Sequence, residues 1–253
     1  MAGVSRLQYS TEIRLIRVMC SGRVDLEFVL RAFSNGSDGV FIGGCHLGEC
    51  NYITHGNYHA LNIVLLCRKI MEHIGLNPER LRVEFMSSGE GIIFTKVMND
   101  FGKKVKELGP LGKGEGIDED ELKSKLEEVT KLIPYIKIVK RDKLEKRLEN
   151  VEEYNEFFTS DEIEKLFSEV VSYYIDPDKC QACMICLRKC PAEAIVGGKN
   201  QIHVIDQDKC IKCGTCFEAC PPRFDAVKKI SGEPVPPPIP QEERTIVRKS
   251  KEK

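Results

Sequence analysis

The sequence has no excess of charge of either sign. Its 38 lysine and arginine residues are balanced by 39 aspartate and glutamate residues, which leaves a formal net charge of −1. Proteins that bind nucleic acids or anionic membranes usually carry a surplus of basic side chains. The composition therefore gives no reason to expect either as a partner.

Long apolar runs are also lacking. No segment approaches the roughly 20 apolar residues that a membrane span needs, and the opening MAGVSRLQYS lacks the apolar core of a secretory signal. We expect no membrane insertion and a cytoplasmic location. No GxGxxG follows a predicted strand, so direct binding of a dinucleotide is not expected. No residue has the context of a substrate-activating acid, base or nucleophile.

Cysteine is abundant, and its distribution is uneven. Four of the twelve cysteines lie in the first third of the chain, and eight lie between residues 180 and 220. In a reducing compartment, thiols hold metals or carry out redox chemistry more often than they form disulfides. Metal sites are therefore the main functional expectation.

The chain divides into four segments by pattern. Residues 1–112 alternate strands with helices, which predicts a doubly wound parallel-sheet (flavodoxin-like) α/β domain. The predicted strands are 12–20, 39–44 and 80–86, and the predicted helices are 25–33, 57–75 and 90–108.

Three further segments follow the α/β segment. Residues 113–175 form a charged helical connector whose pattern Pro134 interrupts. Residues 176–228 form a small α+β ferredoxin domain, and residues 229–253 a proline-rich, charged tail that is extended or disordered.

The third segment contains an internal repeat with a period of thirty residues. IDPDKCQACMICLRKCP aligns with IDQDKCIKCGTCFEACP, cysteine for cysteine. Each copy has the C-x2-C-x2-C-x3-C-P spacing of bacterial ferredoxins, in which the fourth cysteine ligates the other cluster. We expect that fourth cysteine at the start of a helix. Zinc ribbons instead favour separated CxxC pairs.

The spacing therefore predicts two [4Fe–4S] clusters with crossed ligands. The ligands of cluster 1 are Cys180, Cys183, Cys186 and Cys220, and those of cluster 2 are Cys210, Cys213, Cys216 and Cys190.

A second candidate site arises from the predicted strand ends. Cys20 ends one strand, and Cys45 and Cys50 follow the next within GGCHLGEC. Ligand sites in open α/β sheets form beyond the carboxyl ends of the strands, so we expect these three cysteines to meet at one rim. The alternative is that they are buried structural thiols. Cys67 lies on the apolar stripe of its helix and is predicted to be a core thiol.

The nearby histidines leave two roles open. His46, His55 and His59 lie close to the cysteine loop in the sequence. A histidine there could donate a hydrogen bond to a cluster sulfur, or it could cap the following helix.

Three motifs of this sequence resemble the iron–sulfur delta subunits (MvhD) of methyl-viologen-reducing (F420-non-reducing) hydrogenase. They are IRVMCSGRVD, GGCHLGECNY with its following GN, and LGPLG. The resemblance covers residues 1 to about 130. The C-terminal repeat resembles the two-cluster ferredoxin module fused to such subunits. The resemblance implies a [2Fe–2S] cluster that Cys20, Cys45 and Cys50 help to hold. It also implies partners: a hydrogenase or formate dehydrogenase, and a flavoprotein like the flavin-containing A subunit of heterodisulfide reductase.

The resemblance also implies a difference from the family. Family members open with a further strand that ends in C-x2-C, whereas this sequence starts at MAGVSRLQY, inside the helix that follows. The fourth [2Fe–2S] ligand is therefore missing from the sequence, and we expect that the true reading frame starts upstream.

We expect an electron-transfer subunit of an anaerobic oxidoreductase complex. One alternative is a non-conducting docking or redox-sensing module whose only clusters are the two cubanes. The other is an enzyme subunit with a flavin in the α/β crevice.

Overall fold

The computed structural model describes residues 6–52, 55–148 and 150–245. The chain forms two compact units, Met1–Glu164 and Lys165–Lys253. The segment boundaries 1–112, 113–175, 176–228 and 229–253 remain a proposal about sequence modules. No helix within the described ranges is both long and apolar enough to cross a bilayer.

The first unit contains a parallel strand pair connected by a helix. β1 (Val40–Gly44) and β2 (Leu81–Phe85) pair in parallel along their whole length. Parallel neighbours need a crossover connection, and α2 (Asn57–Ile74) lies in it. In the chain, α1 (Leu26–Ser34) precedes β1 and α3 (Gly91–Leu108) follows β2. The result is a mixed α/β arrangement with a small parallel sheet.

The sequence predicts α2 well because its apolar spacing coincides with burial. The residues predicted at intervals of three and four are all buried: Ala60, Val64, Cys67, Met71 and Ile74. The helix ends at Gly75, whose φ of 88° is a left-handed conformation that glycine adopts without strain.

The predicted strand over residues 12–20 is wrong. Residues 12–18 have no regular secondary structure, and the side chains of Ile16 and Met19 are 86% and 93% exposed. A strand exists only where a neighbour accepts its hydrogen bonds, and β1 pairs only with β2 among the described residues. Residues 12–18 and β1 instead line the same cavity, of about 930 Å³.

The interruption predicted at Pro134 is also wrong, because α4 (Glu119–Val139) runs through it. Proline inside a helix costs about 3 kcal/mol. Here the neighbouring side chains of Ile133, Tyr135 and Ile136 are buried and offset that cost.

The helices after α3 pack on the earlier ones. α4 packs against α1, and α5 (Arg141–Glu145) packs against α2. α6 (Ser160–Ser168) follows.

A buried ion pair explains the LGPLG motif. Arg80 is fully buried, and its Nε lies 2.5 Å from Oε1 of Glu115. The same guanidinium donates hydrogen bonds to the carbonyl oxygens of Asp38, Leu108 and Gly109 at 2.9–3.2 Å. The buried guanidinium of Arg80 therefore holds the turn that ends α3, because it donates hydrogen bonds to the main-chain carbonyl oxygens of that turn.

The second unit repeats a strand–helix–strand pattern. Its elements are β3 (Val171–Ile175), α7 (Ile185–Lys189), β4 (Ile195–Val196), β5 (Val204–Ile205), α8 (Thr215–Ala219) and β6 (Val227–Ser231). β3 pairs with β6 and β4 with β5, both antiparallel, so that each repeat pairs with the other. α7 and α8 start thirty residues apart, as the sequence period predicts.

The tail is partly described. A short 3₁₀ turn spans Gln241–Arg244, and Thr245 forms a bridge with Gln201. The remainder of the predicted tail, from residue 246 onward, lies outside the described residues.

Candidate metal centres

Matching turns present the cysteines of the two repeats. The amide of Cys180 donates to the carbonyl of Asp176, and the amide of Cys210 donates to that of Asp206, both at 3.0 Å. The carboxylates of these two aspartates each accept a bond from the amide two residues on. The same local chemistry therefore starts both cysteine loops.

The cysteines of the repeats line two separate cavities. The thiols at the first cavity are Cys180, Cys183, Cys186 and Cys220. Those at the second cavity are Cys190, Cys210, Cys213 and Cys216. Each group takes three cysteines from one repeat and the fourth from the other. The structure thus brings together the same residues that the ferredoxin spacing assigns to each cluster.

The fourth cysteines lie at the ends of helices, not at their starts as expected. Cys190 follows α7, Cys220 follows α8, and both have extended backbone angles. The cause is the next residue, because Pro191 and Pro221 disfavour the helical conformation at the position before them. Each short helix therefore begins beside one cavity and delivers its last cysteine to the other.

The environment of these thiols suits metal binding. Burial, followed by neighbouring cysteines, raises the pKa of Cys186 to about 11 and that of Cys216 to about 12. Without a cation the thiols stay protonated, whereas a bound metal stabilises the thiolates. Apolar side chains such as Ile175 and Ile205 complete the walls. The donor set and its apolar shell fit iron–sulfur clusters.

The three cysteines of the first unit also come together. Cys20, Cys45 and Cys50 line one pocket of about 870 Å³, which we call the rim site. The sulfur atoms of Cys20 and Cys50 are 4.0 Å apart. Two thiolates on one tetrahedral metal with bonds of about 2.3 Å would be separated by about 3.8 Å. This pair therefore fits a shared iron.

Tight backbone packing builds the rim site. A Cβ atom at Gly22 would lie 1.8 Å from the carbonyl oxygen of His55, and one at Gly56 would lie 2.5 Å from the sulfur of Cys50. Only glycine fits at either position. The sequence alone does not reveal these contacts, because they depend on how the folded segments meet.

The side chain of Asn57 holds the backbone of the cysteine loop through hydrogen bonds. Its side chain is fully buried, and Nδ2 donates to the carbonyl oxygens of Cys45 at 3.0 Å and His46 at 2.7 Å. The same amide lies 3.6 Å from the sulfur of Cys45. Asn57 was not a predicted site residue. Its only signal in the sequence is the GN dipeptide that the family resemblance includes.

The thiols of the rim site differ in acidity. Burial raises the pKa values of Cys20 and Cys45, and the neighbouring cysteines add to the rise. Burial acts in the same direction at Cys50, but hydrogen bonds from the amides of Tyr52 and Asn57 and from the thiols of Cys20 and Cys45 together lower the pKa of Cys50. Cys50 is therefore the thiol of this group that is most easily ionised.

Known relatives match parts of both units. A family model described as methyl-viologen-reducing hydrogenase, delta subunit, matches residues 1–109, and a 4Fe-4S dicluster domain matches residues 179–224. The iron-sulfur D subunit of the F420-non-reducing hydrogenase of Archaeoglobus profundus is 46% identical over 110 residues, which are 44% of this chain and 80% of that relative. The chain belongs to the methyl-viologen-reducing hydrogenase delta subunit family.

Two further relatives extend the comparison. The iron-sulfur D subunit of the F420-non-reducing hydrogenase vhc of Methanococcus voltae is 48% identical over 43% of this chain and 75% of its own length. The A subunit of the Ferredoxin/F(420)H(2)-dependent CoB-CoM heterodisulfide reductase of Methanosarcina acetivorans is 46% identical over 44% of this chain. This chain spans only 14% of the length of that second relative.

The other candidate residues of this delta-subunit chain have structural partners. Nε2 of His46 lies 2.7 Å from the Glu90 carboxylate, Nδ1 of His59 lies 3.0 Å from the carbonyl oxygen of Leu144, and His55 lies 3.8 Å from Glu145. Cys67 is fully buried, and burial raises its pKa to about 12. In the described ranges, no three histidine, cysteine or acidic side chains are arranged around a single metal ion.

Proposed function

We propose that the chain is the electron-transfer iron–sulfur subunit of an anaerobic oxidoreductase complex. It relays electrons between a hydrogenase or formate dehydrogenase and a heterodisulfide-reductase-like flavoprotein. The chain supplies binding sites for carriers of single electrons, and the chemical conversion of substrates belongs to its partners.

The crossed arrangement of eight cysteines around two cavities carries this proposal. Cys180, Cys183, Cys186 and Cys220 would hold one [4Fe–4S] cluster, and Cys210, Cys213, Cys216 and Cys190 would hold the other. Such clusters accept and release one electron each. The protein orients the thiolates through the two aspartate turns and limits access of water through the apolar walls.

We assign the rim site to a [2Fe–2S] cluster. Cys20, Cys45 and Cys50 would supply three of its ligands. The spacing between the sulfurs of Cys20 and Cys50 supports a shared iron. Cys67 is not the fourth ligand, because it does not line the rim site and its side chain packs within the core.

The names of the relatives support the proposed partners. The delta-subunit relatives are named as subunits of F420-non-reducing hydrogenases. The matching region also occurs within the A subunits of heterodisulfide reductases. A domain that occurs in both kinds of complex suits a position between them. The reducing cytoplasm, where thiols are kept unpaired, is the proposed compartment.

We also retain the doubly wound sheet as a proposal for the first unit. The crossover from β1 through α2 to β2 supports it.

A docking or redox-sensing module is the second candidate. One observation supports this second candidate: the described part of the rim site contains three thiols, whereas a typical cluster has four cysteine ligands. In that case the first unit would bind a partner without conducting electrons. A flavin in the α/β crevice has no supporting observation of its own.

Transfer to a flavoprotein distinguishes the candidates. The full chain, purified without oxygen and reduced by dithionite, is mixed with the heterodisulfide-reductase-like flavoprotein, and flavin reduction is followed by absorbance. We expect transfer that is lost in both Cys20→Ser and Cys186→Ser. The control Cys67→Ala removes a thiol outside every site and is expected to transfer normally. Normal transfer by Cys20→Ser would support the docking module instead.

A further inference from the structure

The internal repeat allows the two ferredoxin sites to be compared position by position. Residues thirty apart have equivalent places, and α7 and α8 begin at the equivalent residues Ile185 and Thr215. The backbones also agree where they are unusual, because Ala182 and Lys212 both have a positive φ, of 49° and 56°. Differences between the sites therefore come mainly from side chains.

One difference is a hydroxyl group beside a ligand sulfur. Oγ1 of Thr215 lies 3.2 Å from the sulfur of Cys213 at the second cavity. When the cysteine is a thiolate, the hydroxyl is the donor. The equivalent residue at the first cavity is Ile185, whose side chain has no hydrogen-bonding group.

A second difference is a lysine whose side chain is held by a hydrogen bond. The amide of Lys212 lies 3.4 Å from the sulfur of Cys210, and its ammonium group donates to the hydroxyl of the buried Ser172 at 2.8 Å. Lys212 therefore carries its positive charge within the cysteine loop of the second cavity, two residues from Cys210. The equivalent of Lys212 in the first repeat is Ala182, which carries no charge.

Both differences act in the same direction on the reduction potential. Adding an electron makes a cluster more negative, so nearby positive charge and hydrogen bonds to its sulfurs favour the reduced form. His203 acts in the opposite direction, because its Nδ1 lies 3.9 Å from the sulfur of Cys180 at the first cavity. That contact is longer than the contact at Thr215, and hydrogen bonds weaken with distance.

We infer that the two sites are unequal and that Lys212 and Thr215 make the second site, that of Cys190, Cys210, Cys213 and Cys216, the first to accept an electron. The inference rests on the proposed function, since it assumes a cluster at each cavity. Each step transfers one electron from the reductant, which is thereby oxidised, to one cluster. No bond is made or broken, and no proton is required.

The repeat itself supplies the test variants. Lys212→Ala with Thr215→Ile installs the residues that the first repeat already has at the same backbone angles, so the variant is expected to fold. Ala182→Lys with Ile185→Thr makes the reverse exchange. Lys199→Ala is the matched control, because it removes an exposed lysine of the same unit. The measurement is an anaerobic redox titration of the full chain with dithionite, followed by EPR.

We expect the two cubanes of the native chain to be reduced in two separated one-electron steps, which their EPR signals distinguish from reduction of the rim site. In Lys212→Ala with Thr215→Ile, the step at higher potential moves down, so that the ratio of reduced to oxidised cluster falls about tenfold at a fixed potential, or about 59 mV. The reverse variant moves the lower step up, and the control moves neither.

Three results would overturn the inference. They are a variant that shifts the lower step instead, a variant that shifts neither step, and a native chain whose two steps coincide. Iron analysis of the same samples separates this failure from failure of the proposed function. About eight cubane irons with coincident steps refutes only the inequality, whereas a chain without cubanes refutes the function itself.

Discussion

The sulfur of Cys20 lies 4.0 Å from that of Cys50, although the two residues are thirty positions apart in the chain. Cys20 precedes a short turn at residues 21–23, and Cys50 lies in the loop between β1 and α2. Gly22 and Gly56 permit the close packing of these two segments. The pair is therefore a product of tertiary structure, and the first unit must fold before a metal finds both thiolates.

Asn57→Ala is expected to weaken the rim site. It leaves the carbonyl groups of Cys45 and His46 without their donor, and an unpaired buried group costs about 1–3 kcal/mol. Anaerobic denaturant unfolding should therefore show a lower midpoint. Asn51→Ala changes an exposed asparagine of the same loop and is expected to stay within about 0.5 kcal/mol. Equal stability of the two variants would contradict the role of Asn57.

Glu115→Gln tests the buried ion pair with Arg80. Removing the carboxylate charge leaves the buried guanidinium without its counter-charge, which typically costs about 3–5 kcal/mol. The same denaturant experiment measures the loss. Glu121→Gln breaks an exposed pair with Lys125, for which a change below about 1 kcal/mol is expected. Similar losses in both variants would show that the Arg80 pair is not special.

Cys67 should be unreactive in the folded chain. Because burial raises its pKa to about 12, Cys67 remains a thiol at pH 8–9, and alkylation requires the thiolate. After chelation of iron, iodoacetamide followed by peptide mass spectrometry should find Cys183, which is exposed, labelled and Cys67 unlabelled. Labelling of both in denaturant is the positive control. Fast native labelling of Cys67 would place it outside the core.

Iron counts of paired variants test the crossed ligands. Each of Cys180→Ala, Cys190→Ala and Cys210→Ala is expected to lose one cubane, or about four irons. The combination of Cys190→Ala with Cys210→Ala should lose no more, because both residues line the second cavity. Cys190→Ala with Cys180→Ala should lose about eight. The opposite pattern would mean that each repeat holds its own cluster.

The sequence predicts most where the determinants are local. The apolar stripe of α2 and the C-x2-C-x2-C-x3-C-P loops are complete within short segments, and the structure forms a helix and two cysteine-lined cavities there. Cys20, Cys45 and Cys50 line one pocket, but the rule that strand ends share an edge accounts only for Cys45 and Cys50, which follow β1. The sequence indicates where these thiols meet, although Cys20 does not follow a strand.

The predictions fail where a distant partner decides the outcome. Residues 12–20 have a strand-like composition, but no neighbouring strand among the described residues accepts their hydrogen bonds. Pro134 remains helical because its neighbours are buried. Asn57 and the two tight glycines act through contacts that only the folded chain contains. Local pattern carries no information about such partners.

The most direct test of the account is a count of iron and acid-labile sulfide per chain in anaerobically purified protein, with EPR after stepwise reduction. We expect about ten irons, with two cubane signals and a [2Fe–2S] signal that persists to higher temperature. Cys20→Ser should remove that signal and leave about eight irons. A native chain with no acid-labile sulfide would contradict the account as a whole, and one with eight irons and only cubane signals would contradict the assignment of the rim site.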